Sequence, residues 1–371
     1  MKHVKQLYKE LTNYLNNKQD DRISVTNWYE ELKATPQEDA LVDTIKKGAK
    51  ARVFKSIYRE KAKLRLRRIY KITAVAAAFI VVFFIWSIYK QPQPATLEQL
   101  TQILPAKERA IIVLENGKEI NLDQLALNQS IQVGETIITK DAEGKVSYRN
   151  AANGIQKIQT NTLKIPKAAT YQLTLADGTR VTLNSDSKLT YPSSFGSGDR
   201  RVKLEGEGYF EVSHTAENSR FIVAAKNQEI QVLGTKFNVK AYPSEANEYT
   251  TLAEGSVRIS LGDSKTILHP GEQAKSNAGT INKRTVEIDQ VLGWTKGQFC
   301  FNGTNTEEVL DEIARWYDID IHYKGKSEAA QYIGKIPRNL SLDRLIELLN
   351  YAELKTKAVV SDDKRINLII T

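Results

Sequence analysis

Residues 171–183 read YQLTLADGTRVTL. Apolar and polar residues alternate, Asp177-Gly178 interrupts, and the alternation resumes. A period of two places Tyr171, Leu173, Leu175, Val181 and Leu183 on one face of two strands. Asp-Gly between such runs signals a hairpin, because a primed two-residue turn needs positive φ at both central positions. Residues 110–122, AIIVLENGKEINL, repeat the pattern around Asn116-Gly117. Downstream, RVKLEG (201–206), YFEVS (209–213), RFIVAA (220–225), EIQVLG (229–234), KFNVKAY (236–242), SVRISL (256–261) and KTILH (265–269) add short strands, and Pro270-Gly271 adds a turn. Short strands at close spacing predict an all-β domain over 106–290; sandwich, barrel and solenoid remain open.

After Trp294 the period changes. QFCF (298–301) reads as a strand, and Asn305 with Glu308 as a helix cap followed by an acid. Val309, Leu310, Ile313, Ala314 and Tyr317 make a helical stripe, and DIDIHY (318–323) alternates as a strand. The cycle returns as YIGKI (332–336), Ser341 as cap, the stripe Leu342, Leu345, Ile346 and Leu349, then KAVVS (357–361) and INLII (366–370). Two helices about 35 residues apart predict a duplicated βαβ module over 291–371.

Upstream, Ile72–Tyr89 (ITAVAAAFIVVFFIWSIY) is an uncharged run of 18 residues. As a helix it would cover roughly 27 Å, close to the ~30 Å hydrocarbon core of a bilayer. Lys61, Lys63, Arg65, Arg67, Arg68 and Lys71 flank its start, and only Lys90 its end. The net charge of +9 falls entirely before this run: residues 1–71 hold 18 Lys and Arg against 9 Asp and Glu, and residues 72–371 hold 35 of each. The positive-inside rule then predicts one membrane helix (72–89), residues 1–71 in the cytoplasm and 90–371 outside. A signal peptide would start nearer the amino terminus, and a buried core helix rarely carries six cations on one flank. Gln91-Pro92-Gln93-Pro94 opens a stiff linker over 90–105.

Residues 1–71 read as a small all-α region. Leu7, Leu11 and Leu15 recur at helical spacing, Trp28 and Leu32 lie on a second helical stretch, and Leu41 and Ile45 on a third. So few residues bury too little surface for much independent stability, so these faces pack either on one another or on a partner protein. Residues 46–71 form a basic amphipathic helix whose place beside the apolar run favours anionic lipid over DNA.

Little reads as chemistry. One cysteine, Cys300, excludes intrachain disulfides, and His3, His214, His269 and His322 lie too far apart for metal-ligand spacing. No nucleophile elbow, phosphate loop or complete dinucleotide fingerprint occurs. Glu205, Glu207 and Glu211 are the best enzyme candidates, since acids at i and i+2 share a strand face and glycosidases use paired carboxylates; a solvated face is the plainer reading. At Gly234-Thr235, a hydroxyl after a strained glycine could attack the preceding carbonyl and shift the chain from amide to ester; a tight turn is the alternative. No enzyme activity, cofactor or direct nucleic-acid partner is expected.

Residues 170–242, with the motifs LADGTRVTLNSDSKLTYP, DRRVKLEGEGYFEV, FIVAA and VLGTKFNVKAY in that order, resemble a FecR-type domain. EGSVRISL, HPGEQA and GWTKGQFCFNGTNTEEVLDEIARWYDIDI continue the resemblance, and the carboxy-terminal module resembles the secretin/TonB short N-terminal domain. The resemblance implies a single-pass inner-membrane anti-sigma factor that sequesters an extracytoplasmic-function sigma factor. It implies a periplasmic signal from the signalling domain of a TonB-dependent outer-membrane receptor, and release by a membrane protease. On this reading Leu7, Leu11, Leu15, Trp28, Leu32, Leu41 and Ile45 line the sigma-binding face, and Glu308, Asp311 and Arg315 mark a receptor-docking helix. The rival reading is a membrane-anchored glycan- or envelope-binding module without a transcriptional role.

Overall fold

The computed structural model describes residues 79–86 and 93–370 apart from 134–135, 143–145, 151–157, 324–329 and 362–364, together with Lys9, Lys55 and Tyr58. The chain divides into two compact units, Met1–Gln91 and Pro92–Thr371. Leu7, Leu11, Leu15, Trp28, Leu32, Leu41 and Ile45 all lie outside the described residues.

The expected fold class is corrected. The described chain is predominantly β-sheet, and no all-α domain occurs among the described residues. No described helix is long and apolar enough to cross a membrane. Within the apolar run the described residues, 79–86, are helical.

The second unit begins its sandwich with the two expected hairpins. Val181 lies opposite Leu173 and Leu183 opposite Tyr171, and all of the predicted inward residues are buried. The turn differs from expectation. Gly178 has φ +86° while Asp177 keeps negative φ, and the Gly178 N–H donates to the Leu175 carbonyl at 3.0 Å while the Leu175 N–H donates to that of Thr179 at 2.8 Å. This is a type I turn closed by a glycine bulge, not a primed turn. Asn116-Gly117 does the same, with Gly117 at φ +80°. In each hairpin the Asx side chain accepts the N–H two residues on: Asp177 from Thr179 and Asn116 from Lys118, both at 3.0 Å. That local bond stabilises the right-handed turn without asking Asp or Asn for positive φ.

The long strand Arg200–Glu211 organises the sheets. Its first half pairs in parallel with Phe221–Ala225 and antiparallel with Ser187–Pro192. Its second half pairs antiparallel with Lys236–Ala241 and with Arg180–Leu183. Between the halves Gly206 sits at φ +105°, where an added Cβ would meet Ser187 Cα at 2.7 Å. Only glycine fits such a bend. The two layers close over one apolar core that includes Leu163, Leu189, Leu204, Phe210, Phe221, Phe237 and Ile259. At its margin the Arg200 guanidinium is buried and donates to Asp177 (2.7 Å) and to the carbonyls of Ser213 (2.8 Å), Ser219 (2.9 Å) and Leu233 (3.2 Å).

The carboxy-terminal module keeps the expected order strand–helix–strand twice, but it is not a duplicated βαβ unit. Gln298–Asn305 pairs antiparallel with Gln331–Pro337, while Asp320–Tyr323 pairs in parallel with Ile366–Ile370 in a different sheet. A βαβ unit places its two strands parallel in one sheet; here each half contributes strands to both sheets, so the halves interlock. The helices Thr306–Tyr317 and Leu342–Tyr351 bury Val309, Leu310, Ile313, Leu342, Leu345 and Leu349 in a second core. Asn305 caps the first helix, its Oδ1 accepting from Glu308 N at 2.9 Å; Ser341 occupies the second cap position without a side-chain bond. The segment expected as a linker is part of this module: Gln93–Pro94 adds a strand beside Thr356–Val360, the helix Leu97–Thr101 follows, and Ala95, Leu100, Ile103 and Ala106 pack on the second core.

Candidate functional site

The sandwich and the carboxy-terminal module meet through charged side chains. Past the Gly206 bend, Glu207 points into this junction and is buried. One carboxylate oxygen accepts from Asn184 Nδ2 at 2.8 Å, the other from Asn238 Nδ2 at 3.0 Å. Asn238 in turn accepts from Trp294 Nε1 at 3.1 Å, and Asn184 from the Arg338 guanidinium at 3.2 Å. Two amides therefore clip a sandwich carboxylate to Trp294, just before the strand Gln298–Asn305, and to Arg338, just after its antiparallel partner Gln331–Pro337.

Arg338 is 1% exposed. Its guanidinium lies 4.6 Å from the Phe299 ring and 4.5 Å from the Trp316 ring and pairs with Glu312. A planar cation between two aromatic faces keeps its charge at depth, because ring quadrupoles and a carboxylate replace lost water. Trp316 Nε1 donates to the Arg338 carbonyl at 2.9 Å, which fixes both partners.

A second ionic group lies alongside. Arg315 pairs with Glu245 at 3.0 Å and lies 4.0 Å from the Tyr242 ring, and Lys240 pairs with the same Glu245 at 3.0 Å. Tyr242 donates to the Ser185 carbonyl at 2.9 Å. Burial pushes the Glu207 carboxyl above the usual range; Lys240 opposes this, Glu312 adds to it, and the two amide donors partly offset it. Burial alone would lower Lys240, yet the Glu245 and Glu207 carboxylates outweigh it and its pKa is raised. Beside these groups a cavity of about 350 Å³ opens, lined by Glu207, Lys240, Tyr249, Trp294, Asn302 and Glu308 among others.

The predicted residues fall as follows. Arg315 is turned into the junction and buried, and Glu308 and Asp311 on the same helix are half-buried. Burial raises the Asp311 carboxyl against the opposing pull of Arg315. The helix face expected to meet a receptor therefore lies largely against the sandwich. Gly234 and Thr235 lie between the strands Gln228–Val232 and Lys236–Ala241. Gly234 has no positive φ, its Cα faces the His214 ring, and Thr235 Oγ1 donates to the Ser256 carbonyl at 3.2 Å. The strain that an acyl shift would draw on is not seen there. Glu205 and Glu207 do not share a face: the Gly206 bend sends Glu205 to solvent beside Lys203 and Lys188 and Glu207 inward. Glu211 pairs with Arg180 at 2.7 Å. Among the described residues no cluster of His, Cys, Asp or Glu is placed to hold a metal ion.

Asn184, Asn238, Trp294 and Arg338 carry the junction and were not singled out from the sequence. The available signal was Trp294 and Trp316, two large rings with polar N–H groups at a domain boundary.

The FecR protein family matches residues 161–258, and its carboxy-terminal family (FecR, C-terminal) matches residues 298–366. Two crystal structures of a candidate anti-sigma factor from Parabacteroides distasonis ATCC 8503 are similar to this chain, each at 29% identity over 57% of this chain and 99% of that one, with TM-scores of 0.52 and 0.51. No curated protein sequence matches. The bent strand, the Arg200 clamp and the Tyr171–Leu183 hairpin all fall within the first matched range, and the Arg338 ring contacts within the second; residues 161–258 are therefore similar to the FecR protein family and residues 298–366 to its carboxy-terminal family.

Proposed function

We propose that the chain is an anti-sigma factor with a regulatory, non-enzymatic role. The observation that carries this reading is the FecR match in both the sandwich and the module, together with 29% identity to a candidate anti-sigma factor along 99% of that chain. The partner would be a sigma factor of the extracytoplasmic-function class, held by residues 1–71 through the apolar positions from Leu7 to Ile45. The signal would come from the signalling domain of a TonB-dependent outer-membrane receptor, and a membrane protease would release the sigma factor. A location at the inner membrane, with residues 1–71 cytoplasmic and 90–371 periplasmic, rests on the uncharged run 72–89 and its cationic flank, with anionic lipid at 46–71.

The logic is linkage: a signal changes sigma-factor occupancy only if two states of the chain bind it with different affinity. Co-expression of the full chain with its sigma factor should silence a reporter promoter, and Trp28→Ala should restore part of the signal. Full reporter output in the presence of the chain would defeat the reading.

A further inference from the structure

The strand Thr356–Val360 pairs with Ile366–Ile370 along its whole length, five residues against five. Its other edge is covered piecemeal. Val360 faces Gln93 and Val359 faces Pro94, and the Ala95 N–H donates to the Ala358 carbonyl at 3.0 Å. At the far end no strand lies alongside among the described residues; the Asn350 side chain instead accepts from Thr356 N at 2.8 Å and donates to the Thr356 carbonyl at 3.3 Å. Antiparallel ladders alternate bonded and unbonded pairs, so residues 356, 358 and 360 present their peptide groups to this edge. Pro94 falls at the unbonded pair, where its missing N–H costs this ladder nothing and blunts the outer side.

This cover is shallow. The helix that continues it, Leu97–Thr101, has no buried residue, and Leu97 is 67% exposed. Ala95, Leu100 and Ile103 reach the second core only partly. A five-residue strand laid on the same edge would fill all three bonding positions, including the one that Asn350 now caps. We propose that Gln93–Ile103 is an exchangeable strap, and that the edge beneath it accepts an extended antiparallel strand from a partner polypeptide in its place. The partner strand carries a small apolar residue where Ala95 sits and runs on to Thr356. The inference goes beyond the anti-sigma reading and holds whatever residues 1–71 bind.

The test uses the full chain with Cys300→Ser and a fluorescent synthetic peptide of residues 91–106 as the incoming strand. Apparent affinity scales with the fraction of open edge, so Ala95→Pro, which deletes the strap's donor, should tighten peptide binding about tenfold. Pro94→Cys with Val359→Cys locks the strap at facing positions; oxidation should abolish binding and reduction should restore it. Amide exchange should slow on peptide addition at Thr356, Ala358 and Val360. If Ala95→Pro fails to fold, the oxidised and reduced clamp decide alone. Equal peptide affinity in the two clamp states, or protection away from 356–360, would overturn the proposal.

Discussion

Inside the sandwich, Phe210 and Phe237 stack 5.1 Å apart and are fully buried. At the junction with the carboxy-terminal module, comparable depth is given to Arg338, Glu207 and Arg315. Both regions exclude water, but they answer different demands. Apolar burial is strong and indifferent to direction. Buried charges add little net stability, since desolvation consumes most of the Coulomb gain, but they permit very few arrangements. The sandwich is held by apolar area, whereas the junction is held by paired charges whose geometry restricts how the two parts can meet.

The largest effects should come from truncating either region. Phe237→Ala should cost about 3–5 kcal/mol through the cavity it leaves, and Arg338→Ala about 3–5 kcal/mol through the uncompensated Glu312 carboxylate. Denaturant unfolding measures both. The two regions separate in the double variant Arg338→Met with Glu312→Leu: an apolar pair of similar volume should bring stability back to within about 1 kcal/mol of the parent. Failure to recover would mean that the ion pair is itself a main source of stability, and the contrast would break.

Next in size is Gly206→Ala. At φ +105°, with Ser187 Cα 2.7 Å from the added carbon, the loss should be about 2–3 kcal/mol. It should also displace Glu207, so Trp294 fluorescence should change in the still-folded variant. A purely local loss with unaltered emission would detach the bend from the junction. Asn305→Ala removes one cap from the module's first helix and should cost about 1 kcal/mol in chemical unfolding.

The smallest effect carries the sharpest sign. The folded-state pKa of Glu207 is raised above its ordinary value of 4.5. Its contribution to stability is therefore fully present below about pH 4.5 and is lost as pH rises through the folded-state value. Glu207→Gln removes this titration. The difference between the parent and variant stability curves should fall across that window and stay flat below it. A parent-minus-variant difference that rises with pH would show that Glu207 is held as a favourable anion.

Much of the sandwich was legible because period-two burial and Asx-Gly turns are local signals. Tyr171 to Leu183 face inward as the alternation requires, and only the turn type differed, because Asp177 and Asn116 close right-handed turns with their own side chains. Helix positions in the module were legible for the same reason. Strand partnering was not: which sheet Gln298–Asn305 joins depends on residues more than 25 positions away, and nothing in its own alternation records them. The junction was legible only in fragments. Glu207 drew notice as half of a carboxylate pair, but its true partners, Asn184 and Asn238, lie 23 and 31 residues distant. Glu308, Asp311 and Arg315 read as a receptor-docking helix because charge pattern alone does not say which face the rest of the chain will cover.

Arg200–Glu211 has a further consequence. One unbroken backbone serves as a rung in both layers, so neither layer can melt and leave the other intact. Heat or denaturant should take the sandwich apart in a single step, with amides at either end of that strand exchanging at a common rate.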